Sequence, residues 1–162
     1  CTAALSIRKM NLRVYHRQKV LPLDRKALRR LLTWLTGQIF PTPERWSDLA
    51  VTVTDDAGMI AANQSVFGRS GSTDVISVIY RPGPGLPGWS AEVFVNAERA
   101  LTEGARRGGV EPELALYLAH GLQHAAGASD RTAAGRKRMR RKELAWLAAA
   151  EKKGYLHLQI KT

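Results

Sequence analysis

The chain has 162 residues, 44% of them hydrophobic, and carries 25 Lys and Arg against 14 Asp and Glu, a formal charge of +11. That length fits one compact domain with a real core. The lone cysteine, Cys1, excludes an internal disulfide framework and any zinc site built from several cysteines. A reducing compartment such as the cytoplasm is the expected home. No apolar run approaches the ~20 residues of a membrane span, and residues 1–10 lack the apolar core of a secretion signal. Residues 11–16 alternate as a short strand. Asp24 is suited to cap a helix to about Gly37, with Leu28, Leu31, Leu32 and Leu35 on its apolar side. Pro41 and Pro43 mark a loop. Leu49 to Thr54 is β-branched and reads as a strand, after which Asp55 or Asp56 opens a helix through about Phe67.

Gly68, Gly71 and Ser72 make a turn, and Thr73 to Tyr80 reads as a strand. Three prolines and three glycines between Arg81 and Ser90 make an irregular loop. Ala91 to Val95 is a further strand, and Asn96 caps a helix to about Arg107 that Gly108 and Gly109 break. Pro112 lies at the first turn of the next helix. Thr132 to Lys153 is a last, highly basic helix, and Tyr155 to Ile160 alternates as a terminal strand or ordered tail. The tryptophans Trp34, Trp46, Trp89 and Trp146 read as packing residues, and His16 and His157 as structural or surface residues. Interleaved strands and helices place the chain in the α/β or α+β class, one sheet with several packed helices; topology does not follow from the pattern.

The chemistry concentrates in residues 120–130. His120 and His124 stand four apart, one helical turn, on one face. Such a pair also occurs as surface or satisfied half-buried residues. Here Gly127 offers a left-handed residue to end the helix, and the returning chain brings Asp130 over the pair. Two imidazoles and one carboxylate make three ligands with an open fourth position, the pattern of a catalytic metal site. A metalloprotease places a Glu directly after the first His; here that residue is Gly121. An iron oxygenase uses the same ligand types, on a β-rich barrel rather than a helix.

The charge is clustered. Arg13, Arg17, Lys19, Arg25, Lys26, Arg29 and Arg30 form one group. Arg131, Arg136, Lys137, Arg138, Arg140, Arg141 and Lys142 form another, directly after the metal motif. An excess of this kind also serves solubility. Its position beside the motif favours a phosphate-bearing partner, and the second cluster lacks the large apolar face that a membrane surface requires.

These residues resemble the YbeY family of rRNA maturation factors, metal-dependent endoribonucleases of single-stranded RNA. The family's His-Gly-x-Leu-His-Leu-x-Gly-Tyr-Asp-His motif stands here as His120-Gly121-Leu122-Gln123-His124-Ala125-Ala126-Gly127-Ala128-Ser129-Asp130. Its Thr-Asp-Val-Leu-Ser strand stands as Thr73-Asp74-Val75-Ile76-Ser77, after Asn63 at a helix end, and its Gly-Asp-Ile as Ala91-Glu92-Val93. The likeness is best supported over residues 50–147 within a single domain spanning 1–162. It implies an α+β fold, a mixed four- to five-stranded sheet packed with helices, with the metal-site helix near the C-terminal end.

The resemblance also implies one zinc per chain on His120, His124 and Asp130, with nickel or iron as alternatives. Its implied partner is RNA, in particular rRNA and the small ribosomal subunit, in maturation and quality control. The basic residues Arg136, Lys137, Arg138, Arg141 and Lys142 are the expected RNA contacts. The chain departs from the pattern in several places. Asp130 replaces the third His, Gln123 a Leu, Ala125 and Ala128 a Leu and a Tyr, and Ser72 a Pro. Phe67 replaces the loop Arg. Arg69, two residues on, reads equally as a phosphate-steadying guanidinium or a solvated loop residue. Ser77 could line the site or be a simple strand residue. These departures bear on turnover more than on fold or metal binding. The rival from another class is a non-catalytic RNA-binding ribosome-assembly factor with a structural metal.

Overall fold

A computed structural model describes residues 9–161; Cys1 and most of the N-terminal stretch searched for a secretion signal lie outside them. The elements follow in chain order as β1 (Asn11–Arg17), α1 (Arg25–Ile39), β2 (Trp46–Thr54), α2 (Asp56–Phe67), β3 (Val75–Tyr80), β4 (Trp89–Asn96), α3 (Ala97–Arg107), α4 (Val110–Ala125) and α5 (Ala133–Lys152). The sheet order is β1-β2-β4-β3. β1, β2 and β4 run parallel, and β3 runs antiparallel to β4. The fold is therefore α+β with a mixed four-stranded sheet. No described helix is long and apolar enough to cross a membrane.

Period-two patterning builds the covered face of the sheet. Leu49, Val51 and Val53 on β2 are fully buried, and the register pairs them with Ala91, Val93 and Val95 on β4. Leu28, Leu31, Leu32 and Leu35 of α1 and Leu114, Leu118 and Leu122 of α4 join the same core. Each fully buried leucine contributes about 1.5–3 kcal/mol relative to exposure. α2 packs against β3 and β4. Trp34, Trp46 and Trp146 are half-buried against the core, and Trp46 lies between Phe40 and Trp89, at ring separations of 5.0 and 6.3 Å.

Several boundaries move for identifiable reasons. α1 continues past Gly37 because Ile39 extends the buried stripe while Gly37 faces solvent. β2 begins at Trp46 because that residue pairs with Trp89. β3 begins at Val75 rather than Thr73, since Asp74 Oδ1 accepts from the Val75 N–H and the Thr73 hydroxyl and turns the chain into the strand. Asp55, Asn96 and Thr132 each cap the following helix with a side-chain oxygen. Residues 155–160 form an ordered tail with a single bridge, Leu23 to Gln159. The Glu111 carboxylate, in the first turn of α4, accepts from the Leu158 and Gln159 N–H groups and holds that tail.

Candidate metal centre and the cavity beside it

α4 is a buried helix seated close to the sheet. A Cβ at Gly121 would lie 2.6 Å from Val75 and 2.7 Å from Val93, so the absence of a side chain sets the distance between helix and sheet. The Ser77 hydroxyl donates to the Gly121 carbonyl at 2.7 Å and ties β3 to the same point. With that face pressed inward, His120 and His124 emerge half-buried, one turn apart, with ring centroids 4.6 Å apart.

The helix ends in a Schellman turn. The Gly127 N–H bonds the His124 carbonyl and the Ala128 N–H bonds the Gln123 carbonyl, with Gly127 at φ +103°. The turn does two things for the site. It presents the Ala128 carbonyl to His124 Nδ1 at 3.1 Å. It also returns the chain so that Asp130 Oδ2 stands 3.4 Å from His124 Nε2 and 4.0 Å from His120 Nε2. His120, His124 and Asp130 are the group of side chains, among the described residues, whose ligand atoms converge closely enough for one cation.

The fit to a metal rests on the imidazole tautomers. A backbone carbonyl only accepts, so His124 Nδ1 carries the proton and donates to Ala128. His120 Nδ1 donates to Glu143 Oε1 at 2.6 Å, a buried carboxylate from α5. With both Nδ1 positions so engaged, the neutral rings turn two Nε2 lone pairs toward each other at 3.1 Å, with a carboxylate beside them. Lone pairs at that distance repel unless a proton or a cation lies between them. A tetrahedral zinc with bonds of about 2.0–2.1 Å separates its ligand atoms by roughly 3.3 Å, within the range found here. The hydrogen bond to Glu143 and its charge, with Asp74 and Asp130 adding, hold His120 above the ordinary imidazole range against the opposing effect of burial.

Glu143 is the functional residue that the motif does not reveal, because it lies 23 positions from His120 on a helix dominated by charge. One signal was present: it is the sole acid between Arg131 and Ala150 and follows the apolar Met139 by one turn. Gln123, where a Leu is usual, donates to Glu143 Oε1 at 3.0 Å and to the Met139 carbonyl at 3.2 Å. The polar substitution thus braces the carboxylate that braces His120.

A cavity of ≈ 340 Å³ opens against His120 and Asp130. Arg107, Arg136 and Arg140 line it together with Asp74 and Glu113, and Leu116, Tyr117 and Met139 add apolar surface. Arg107 is paired with Glu103 and Glu113. Burial, together with the charge and hydrogen bond of Glu113, raises the Tyr117 phenol and keeps it protonated. Arg69 is exposed, its guanidinium over the Phe67 ring at 5.6 Å, and is not among the residues that line the cavity. Of the expected RNA contacts, Arg136 lines this cavity. Lys137 and Arg141 line an adjoining concavity, and Arg138 and Lys142 line neither. Arg140 lines both.

Comparison with known proteins extends the match beyond the motifs. A relative from Anaeromyxobacter sp. (strain Fw109-5), named Endoribonuclease YbeY, is 32% identical over 131 residues, 80% of this chain and 68% of its own length. One of the same name from Geobacter sulfurreducens is 29% identical over 140 residues, 83% of this chain and 89% of the relative. A Thermotoga maritima protein solved in solution shares the fold, with a TM-score of 0.57 at 16% identity over 88% of this chain and 93% of that one. The family model described as Endoribonuclease YbeY matches residues 13–151, which takes in most of β1 and all of α1 as well as the histidine helix. With the fold, the histidine motif and this match in agreement, the chain belongs to the endoribonuclease YbeY family.

Proposed function

We propose that the protein is a metal-dependent endoribonuclease of single-stranded RNA acting in rRNA maturation and ribosome quality control, in the cytoplasm, on the small ribosomal subunit. The observation that carries this reading is the pair of imidazoles whose Nε2 atoms face each other at 3.1 Å beside Asp130, in a chain of an endoribonuclease family. His120, His124 and Asp130 would hold one divalent ion, zinc by ligand type, with nickel or iron as alternatives. Such an ion, when bound, supplies a Lewis acid and an acidified water for hydrolysis of a phosphodiester.

The chain's own residues do the rest. Glu143 keeps the His120 proton on Nδ1 and so keeps Nε2 free, and the Ala128 carbonyl does the same for His124. Asp130 in place of a third imidazole would leave the centre less positive and a water held there less acidified. Arg136 and Arg140 lie where phosphate charge approaches the centre. Arg69, held over Phe67 and outside the cavity lining, would steady that charge only after its loop moved.

The test is a labelled single-stranded RNA incubated with metal-loaded protein, the His120→Ala variant and a chelated control. Cleavage by the first alone is expected. Equal trace cleavage in all three would sink the enzyme reading. The second reading, a non-catalytic ribosome-assembly factor with a structural metal, is favoured by the Phe67 and Arg69 stack, which leaves no loop guanidinium on the cavity wall.

A further inference from the structure

The cations of α5 are not equivalent. The helix advances ~100° per residue, so Arg136 and Arg140 share a flank, and Arg138 and Lys142 lie ~200° further round. Met139 and Glu143, on the inner side of the helix, are buried, and Glu143 bonds His120. Arg136 and Arg140 line the cavity that contains His120 and Asp130. The same two guanidinium groups line a second concavity with Lys137, Arg141 and Leu144. Leu144 is 50% exposed among these four cations. Arg136 Nη1 donates to the Asp130 carbonyl at 3.1 Å, which holds it beside the His120–Asp130 cluster.

From this continuity we infer that a single-stranded RNA leaves the metal centre along one flank of α5. Its path passes Arg136 and Arg140 and continues over Lys137, Arg141 and Leu144. The inference rests on the endoribonuclease reading and deepens it by assigning the substrate path. The nucleotide beside the cleaved bond occupies the ≈ 340 Å³ cavity. Its phosphate pairs with Arg136 and Arg140 in the bidentate manner that guanidinium allows. Its base rests on Leu116 and Met139, and the carboxylates Asp74 and Glu113 accept from its amino or hydroxyl donors. The next phosphate meets Lys137 and Arg141, and Leu144 gives the next base an apolar seat. Arg138 and Lys142 lie off this path and act only through diffuse charge.

The experiment compares two double variants that each remove the same charge from the same helix. Binding of a labelled twelve-nucleotide single-stranded RNA to metal-free protein is followed by anisotropy over a salt series, so that cleavage does not intervene. Arg136→Ala with Arg140→Ala should weaken binding roughly tenfold or more and lower the slope of log affinity on log salt by about two. Arg138→Ala with Lys142→Ala should change affinity less than about threefold and leave the slope nearly unchanged. A far-ultraviolet spectrum and melting curve for each variant confirm an intact fold. Equal losses in the two pairs, or a larger loss in the second, overturn the path and leave the endoribonuclease reading standing. RNA binding by neither wild type nor variants overturns both.

Discussion

α1 and α5 carry similar positive charge and use it differently. α1 buries a continuous leucine stripe, and its cations serve the fold: Arg29 Nη2 donates to the Leu12 carbonyl at 3.0 Å, and Arg30 lies over the Tyr155 ring at 5.2 Å. α5 buries little of its length, chiefly Gly135, Met139, Glu143 and Ala150. It meets α4 through Glu143, whose carboxylate bonds His120, and through the Met139 carbonyl, which accepts from Gln123. Two of its arginines, Arg136 and Arg140, then line the cavity beside His120. Charge counted along the sequence makes the two helices look alike. What each one packs against decides which can face a substrate.

The largest expected effect belongs to His120, the imidazole that α5 supports. His120→Ala should reduce RNA cleavage to the level of the chelated control while RNA binding through α5 persists, because metal and phosphate attraction reside on different side chains. An anisotropy titration beside a gel assay separates the two. A stability scan sharpens the contrast from the other side. Leu32→Ala in α1 should destabilise the protein by about 2–5 kcal/mol, whereas Arg138→Ala in α5 should stay within about 0.5 kcal/mol. Denaturant unfolding of the two variants measures both, and a large loss at Arg138 would break the distinction.

Glu143→Gln should lower metal affinity by about 10–100-fold, read by competition with a colorimetric chelator. The pH dependence follows from the raised His120. In metal-free protein the His120–Glu143 ion pair contributes stability fully present below about pH 6.5, the unfolded value. That contribution is lost as pH rises through the higher folded value. Metal binding runs the other way, since it needs a neutral ring, so affinity climbs through the same window. Melting temperature should thus fall with pH without metal and rise with pH when metal is supplied. In Glu143→Gln both transitions should move to lower pH. Losses smaller than that at Leu32 are expected at the caps. Asp24→Ala and Thr132→Ala should each cost about 1 kcal/mol, and only the Thr132 change, at the start of α5, should also weaken RNA binding.

Much of this was legible in the residues. Helix starts at Asp24, Asn96 and Thr132, and one at Asp55 or Asp56, were readable because capping is local chemistry. The convergence of His120, His124 and Asp130 was readable because two of them are one turn apart and the third follows a glycine turn. Strand order was not, since periodicity says which face is buried and not which strand lies alongside; the reversal of β3 against three parallel strands is a property of connections. Glu143 and Gln123 were missed as a pair for a related reason. A polar residue on a charged helix and another between two histidines reveal their role only when the helices meet. Arg140 was counted among the cations but not among the RNA contacts, since only the packed helix shows that it lines both concavities.

The missing side chain at Gly121 has a consequence for how this scaffold can diversify. Peptidases with a comparable histidine ladder place their proton acceptor one residue after the first ligand. In this molecule that address is occupied by the flanks of Val75 and Val93, 2.6 and 2.7 Å from any added carbon. Installing a glutamate there would lift the ladder off the sheet before it could touch a peptide. A laboratory search for amide hydrolysis starting from this chain would therefore have to reshape β3 and β4 first, and selections that randomise only the histidine motif should return no peptidase.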